Sequence, residues 1–220
     1  MTPTPTITPT PDRAGSVATA LAAATMQAQA TAQARTTAQA ARAVADDQAG
    51  RSAIIYSPTK GQLDHNTNTV GGEGKLANVN TAELILEAKF FNPYPASEGA
   101  WDYGFAFRYL PNNNQYTLIV RSDQLYYLYF YDSAIQRNQQ ISAGRIAGLD
   151  ISSGGANTVT VFIGADSGLL FVNGAYVATL DLSAQLTGGN VAIVTGILTG
   201  DKIAGRSTGY EGFTIYAARR

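Results

Sequence analysis

The side chains of this chain that are able to carry chemistry are few and widely spaced. Glu83 and Glu87 lie four apart in AELILEAKF and share one face of a β-strand, which holds their carboxyls about 13 Å apart. A retaining glycoside-cleaving pair needs about 5–5.5 Å, so both read as solvated strand charges. Glu98 and Asp102 flank Trp101 and would meet only across a loop, where charged turn residues are the simpler reading. His65, the only His, stands in polar QLDHNTNTVGGEG and is expected to be a solvated loop residue. No Gly-x-Ser-x-Gly turn presents a nucleophilic Ser to it. With 0 Cys there is neither a thiolate nor a disulfide, and no ligand set has zinc spacing. The Gly-rich stretches Val70–Gly74 and Gly196–Gly205 lack the Lys and helix of a phosphate loop, and read as turns.

Aromatic residues offer a second kind of chemistry. In WDYGFAFRY, YTLIVRSD and LYYLYFY the side chains alternate with period two. If Tyr103, Phe105, Phe107, Tyr116, Leu118, Val120, Tyr126, Leu128 and Phe130 point inward, then Asp102, Arg108, Thr117, Arg121, Tyr127, Tyr129 and Tyr131 point outward. Alternate Tyr rings beside Arg make a sugar platform: rings stack on apolar pyranose faces while Arg and Asp bond hydroxyls. The competing reading is that Tyr simply favours half-buried strands, with loops or the second sheet covering it.

The elements that must position these residues follow from a break in composition near Gly50. Every aromatic residue lies beyond it, and a folded core needs such side chains to offset the entropy lost on ordering. Residues 1–11 (TPTPTITPTP after Met1) read as an extended Thr/Pro spacer, because alternating Pro removes donors and fixes φ. Residues 12–50 are Ala, Gln and Thr with scattered Arg, a composition that predicts a long helical stalk. Val17, Leu21, Met26 and Val44 make no heptad stripe, so a Leu-type coiled coil is not expected. The stalk is either a solvated linker or, through residues 12–48, a helix for homo-oligomer assembly.

Residues 51–220 read as one antiparallel sandwich of short strands separated by Asn- and Gly-rich turns. Further strands are expected at Ser52–Ser57, Val191–Thr195 and Gly212–Ala217, and a helical turn at Ala184–Thr187. The strongest local signal is GLLFVNGAYVATLDLS, where Asn173-Gly174 predicts a type I′ hairpin. A net charge of -1 with 14% charged residues gives no electrostatic case for nucleic acid or an anionic membrane. No apolar run is long enough to span a bilayer. There is no basic start followed by an apolar stretch, so any export or anchoring segment is expected upstream of Met1.

The strings FVNGAYVATLDLS, WDYGFAFRY, YTLIVRSD, LYYLYFY and STGYEGFTIYA resemble the concanavalin A-like lectin/glucanase superfamily, nearest to its laminin-G-like and 3-keto-disaccharide hydrolase-like domains. The resemblance covers roughly Ser52 to Ala217. It implies an all-β jelly-roll sandwich whose last strand pairs back near the first. The glucanases of the superfamily carry Glu-x-Asp-x-x-Glu on one strand, which this chain lacks, so no catalytic residue is expected. Calcium-holding relatives draw attention to Asp64, Asn66, Asp123 and Asp201, though no Asp-x-Asp-x-Asp-Gly string gathers them, and no cofactor is expected. The resulting expectation is a non-catalytic, extracellular or cell-surface recognition module displayed on a stalk. Its partner would be a glycan or another surface protein, held by Asp102, Arg108, Arg121, Tyr127, Tyr129 and Tyr131. The alternatives are an assembly protein driven by the Ala-rich helix and, third, a glycoside-cleaving enzyme.

Overall fold

The computed structural model describes residues 53–66, 72–198 and 200–218, with the isolated positions Ala23, Gln27, Thr37 and Ala41. Apart from those four positions, the expected spacer and stalk lie outside the described residues. The rest is all β. Numbered in chain order, one sheet (sheet I) runs β1 (Ala53–Asp64), β12 (Ser207–Ala217), β3 (Leu84–Phe91), β8 (Ala156–Ile163), β9 (Ser167–Val172) and β10 (Ala175–Asp181). Sheet II runs β2 (Glu73–Leu76), β11 (Asn190–Thr195), β4 (Asp102–Tyr109), β5 (Gln115–Arg121), β6 (Leu125–Asp132) and β7 (Arg137–Arg145). Neighbours are antiparallel, and β1 pairs with β12 from Ala53↔Ala217 to Asp64↔Ser207. First and last strands therefore close together, as the resemblance implied.

Period-two alternation decides which side chains meet between the sheets. All nine residues expected inward on β4, β5 and β6 are buried in the central core, against Leu84, Leu86, Ala88 and Phe90 of β3. Phe90 stacks on Tyr103 at 4.6 Å and Tyr103 on Trp101 at 5.0 Å, so the two sheets join through aromatic faces. The Tyr103 hydroxyl donates to Asn92 Oδ1 and accepts from Asn157 Nδ2, which satisfies a polar atom that burial would otherwise penalise.

Local differences from the sequence reading have physical causes. β1 continues past the expected end at Ser57 to Asp64, with three register shifts that carry Pro58 along a sheet edge, where a missing donor costs least. β2 and β7 have short or polar sequences and gave no alternating signal. The expected helical turn at Ala184–Thr187 is irregular. There the Gln185 N–H donates to the Tyr116 hydroxyl and its carbonyl accepts from Arg108, so no helical ladder is available.

The Asn-Gly turn stands where expected, between β9 and β10, with φ of 51° at Asn173 and 74° at Gly174. Asn173 also accepts from Thr158 N and donates to Asn157, which ties the hairpin to the buried amide cluster. Gly174→Ala, which forces a Cβ into left-handed backbone, is expected to lower unfolding free energy by about 1 kcal/mol. Urea denaturation with an unchanged m-value is the check.

Candidate functional site

The outer face of sheet II holds five of the six side chains expected there. The sixth, Arg108, is a correction. A register shift between β11 and β4 and a φ of 50° at Arg108 turn its side chain off the outer face. It is fully buried, and its guanidinium donates to the carbonyls of Ala82, Leu182, Gln185, Gly164 and Ala165. The Gln185 side chain returns a hydrogen bond to Arg108 O at 2.6 Å. A buried cation is tolerable inside a protein when its donors are this fully matched, and the charges of Glu83 and Asp166 act in its favour. Arg108 is thus the clasp between β4, the loop before β3, the β8–β9 turn and the segment after β10, and it is unavailable to a surface ligand. Arg108→Met should destabilise the domain by on the order of 3 kcal/mol or more, because several buried carbonyls lose their donor. Arg108→Lys should restore little of it, since one ammonium cannot span the same acceptors; thermal denaturation tests both.

Asp102 is also sealed, at 0% exposure. Its carboxylate accepts the N–H groups of Ile197 and Leu198, each at 2.9 Å, and lies within hydrogen-bonding reach of the Asp201 carboxyl. Burial, with the charge of Asp201 added, pushes the Asp102 pKa up to about 7, against the two backbone donors that favour the anion. Asp201 is 1% exposed and receives Arg121 Nε at 2.6 Å and Nη2 at 2.9 Å, while Nη1 reaches Asp123 at 2.8 Å. The Tyr127 hydroxyl donates to the same Asp123. Glu98 does not join Asp102 but pairs with Arg206 at 3.0 Å.

This network fastens the chain after β11 across part of the outer face, where Ile197 packs on Ala106, Ala192 and Val194. His65 fastens it further along, which corrects the expectation of a solvated residue. It is 4% exposed and packs edge-on against Tyr94. Its Nδ1 accepts from Ile203 N, so Nε2–H donates to Thr208; the Thr208 and Thr195 hydroxyls continue the chain to Asp102 O. Burial, helped by Lys202, holds the His65 pKa below its ordinary value.

The two groups respond to pH with opposite sign. His65, lowered in the fold, contributes stability above its unfolded pKa that is lost on acidification. Asp102, raised in the fold, contributes stability that is full below its unfolded pKa and lost as pH rises through about 7. From about pH 6.5 upward only the Asp102 limb remains. Wild-type Tm is therefore expected to fall between about pH 6.5 and 8, and Asp102→Asn to flatten that limb; a pH series of melting curves checks it.

The remainder of the outer face is open. A cavity of about 410 Å³ is lined by Tyr129 and Tyr131 of β6, Gln115 and Thr117 of β5, and Asn138 of β7, with Tyr109, Asn113, Gly72, Ile197 and Leu198 around its rim. Cross-strand register explains the grouping: Gln115, Tyr131 and Asn138 are directly opposed, as are Thr117 and Tyr129. A Cβ on Gly72 would stand 2.8 Å from the Thr195 backbone oxygen, besides meeting the Ile197 side chain, so a larger residue there would push the backbone away from the rim. Tyr127 is not part of the lining. Its ring lies nearly parallel to Tyr129 with centroids 6.1 Å apart, too close to admit a sugar between them.

Sequence reasoning found Tyr129 and Tyr131 but missed the amides. The Asn-rich run PNNNQ, residues 111–115, between two aromatic strands holds two of them, Asn113 and Gln115, and was the available signal; Asn138 lies outside it. The four residues considered for calcium do not converge. Asp123 and Asp201 are joined by a guanidinium, and Lys202 Nζ stands 2.9 Å from Asn66 O. Among the described residues no group of three or more His or acidic side chains is arranged to hold a metal ion.

With this geometry, no family model matches the chain and no curated protein matches it. Solved structures do share its architecture. The carbohydrate binding module CBM66 from Bacillus subtilis aligns with TM-score 0.51 at 11% identity, over 73% of this chain and 96% of that one. The wild-type fructosyltransferase from A. japonicus aligns at TM-score 0.52 and 10% identity, over 76% of this chain and 27% of the enzyme. A native glycosidic hydrolase aligns at TM-score 0.50 and 12% identity, over 76% and 81%. Such identities speak for the fold alone. The domain shares the two-sheet jelly-roll fold of these structures, the fold that its hairpin and strand strings implied.

Proposed function

We propose that the domain is a non-catalytic glycan-binding module, with its ligand seated in the Tyr129/Tyr131 cavity and the whole displayed at a cell surface on residues 1–50. The cavity carries the reading. Two phenol rings, half-buried on a rigid strand, offer apolar faces to a sugar, and three amides with one hydroxyl offer donors and acceptors for its hydroxyl groups. Its volume is in the range of ordinary small-ligand sites. The fold likeness to a carbohydrate binding module is consistent with this reading. Of the residues first expected to bind, Tyr129 and Tyr131 carry the contact. Arg121, Asp102 and Tyr127 support it by holding the roof of the site, and Arg108 holds the sandwich.

One feature favours the glycoside-cleaving alternative: burial raises the Asp102 pKa to about 7 beside a second carboxyl, the direction of shift that a general acid requires. Against it, both carboxyls are sealed from solvent and tied to backbone N–H or guanidinium. Release of reducing ends from any glycan the domain binds, abolished by Asp102→Asn, would favour the enzyme. The assembly alternative rests on residues 12–48, outside the described part.

The binding reading is tested by glycan array followed by affinity electrophoresis on the hits. Tyr129→Ala and Tyr131→Ala are each expected to weaken binding about 5- to 30-fold, or ~1–2 kcal/mol. Tyr127→Ala should change it less than about threefold, because its ring is outside the cavity. Equal binding by the Tyr129 and Tyr131 variants would remove this face from consideration.

A further inference from the structure

Resting on that reading, we infer that the cavity selects uncharged saccharides and rejects those bearing carboxylate or sulfate. The lining residues Gln115, Thr117, Tyr129, Tyr131, Asn113 and Asn138 are all neutral. Residues 67–71 (TNTVG) and Thr199, next in sequence to the rim, also carry no ionisable side chain.

The cations closest to the roof, Arg121, Arg108 and Lys202, are already engaged. All three guanidinium nitrogens of Arg121 bond Asp201 or Asp123, Arg108 is enclosed by carbonyls, and Lys202 donates to Asn66 O. Arg137 precedes Asn138, so strand alternation sends its side chain to the opposite face from the cavity, across from Asp132; Lys75 of β2 likewise shares the inner-side register of Ile193. The charges that act on Tyr129 are those of Arg121, Asp102, Asp123 and Asp201, so the single cation is outnumbered by acidic groups, two of which bond it.

An anionic sugar entering this site would give up water around its charge and find no counter-ion, a cost that hydroxyl-to-amide hydrogen bonds do not return. A neutral hydroxyl exchanges water for a Gln, Asn, Thr or Tyr partner of similar strength. Discrimination here comes from withholding a cation, and the Asp123–Arg121–Asp201 cluster is the device that withholds the nearest one.

The test uses chemically matched polymers in affinity electrophoresis with the full chain: hydroxyethyl cellulose against carboxymethyl cellulose, and agarose oligosaccharides against their sulfated carrageenan counterparts. The neutral member of at least one pair should bind in a Tyr129-dependent way, with its anionic counterpart weaker by about tenfold or more. Raising salt should leave the neutral affinity unchanged. Asn138→Lys, at an exposed strand position, should narrow the gap by strengthening the anionic member in a salt-sensitive manner. Anionic binding equal to or tighter than neutral binding, still lost in Tyr129→Ala, would overturn the selectivity while leaving the cavity a glycan site. Failure of every neutral and anionic polymer to bind would overturn the site itself, and this inference with it.

Discussion

A charge removed from water inside a β-sandwich must be matched donor for acceptor, and the architecture of this domain turns on how that demand is met. Arg108 sits where strand alternation alone would aim it at solvent. A left-handed residue and a register shift instead bring its guanidinium to five backbone carbonyls. Those carbonyls belong to the ends of otherwise separate strand connections, so one side chain sets where several loops stop. The same demand operates at the opposite end of β4. There Asp102 accepts two N–H groups of the chain after β11 and draws that chain back over the sheet.

The outer face of sheet II is divided by this second attachment. Ile197 covers the small side chains Ala106, Ala192 and Val194, and the covered half becomes an extension of the interior. The uncovered half, over β5, β6 and β7, keeps its Tyr rings and amides in contact with solvent and becomes the cavity. The polar network between the halves links Asp102, Asp201, Arg121, Asp123 and Tyr127. Its charges are spent on holding the roof, and the cavity lining beside it is neutral. Positioning of the site and its electrical character thus have a common origin.

Much of the sandwich was legible in the chain. Bulky side chains at every second position of Asp102–Tyr109, Gln115–Arg121 and Leu125–Asp132 named the inward residues without error, because strand geometry sends alternate Cβ atoms to opposite faces whatever the context. Asn173-Gly174 was equally readable, since few dipeptides accept two successive positive φ angles. Edge strands were harder. β1 tolerates Pro58 and repeated register shifts, and β7 is polar along much of its length, so neither carries the alternation that burial imposes.

Tyr129 and Tyr131 could be assigned to the outer face from spacing alone, but their usefulness could not. Whether an outward residue is free, covered or folded back depends on partners distant in the chain: Arg108 meets Gly164 and Gln185, Arg121 meets Asp201, and His65 meets Thr208. Local pattern reports the direction of a Cβ bond, which the backbone sets within a few residues. Solvent access and the pairing of charge are set by what the rest of the chain brings alongside. The strand faces were therefore written in residue order, whereas the neutral cavity, the sealed carboxyls and the buried guanidinium came into being only when the two sheets and the segment after β11 closed together.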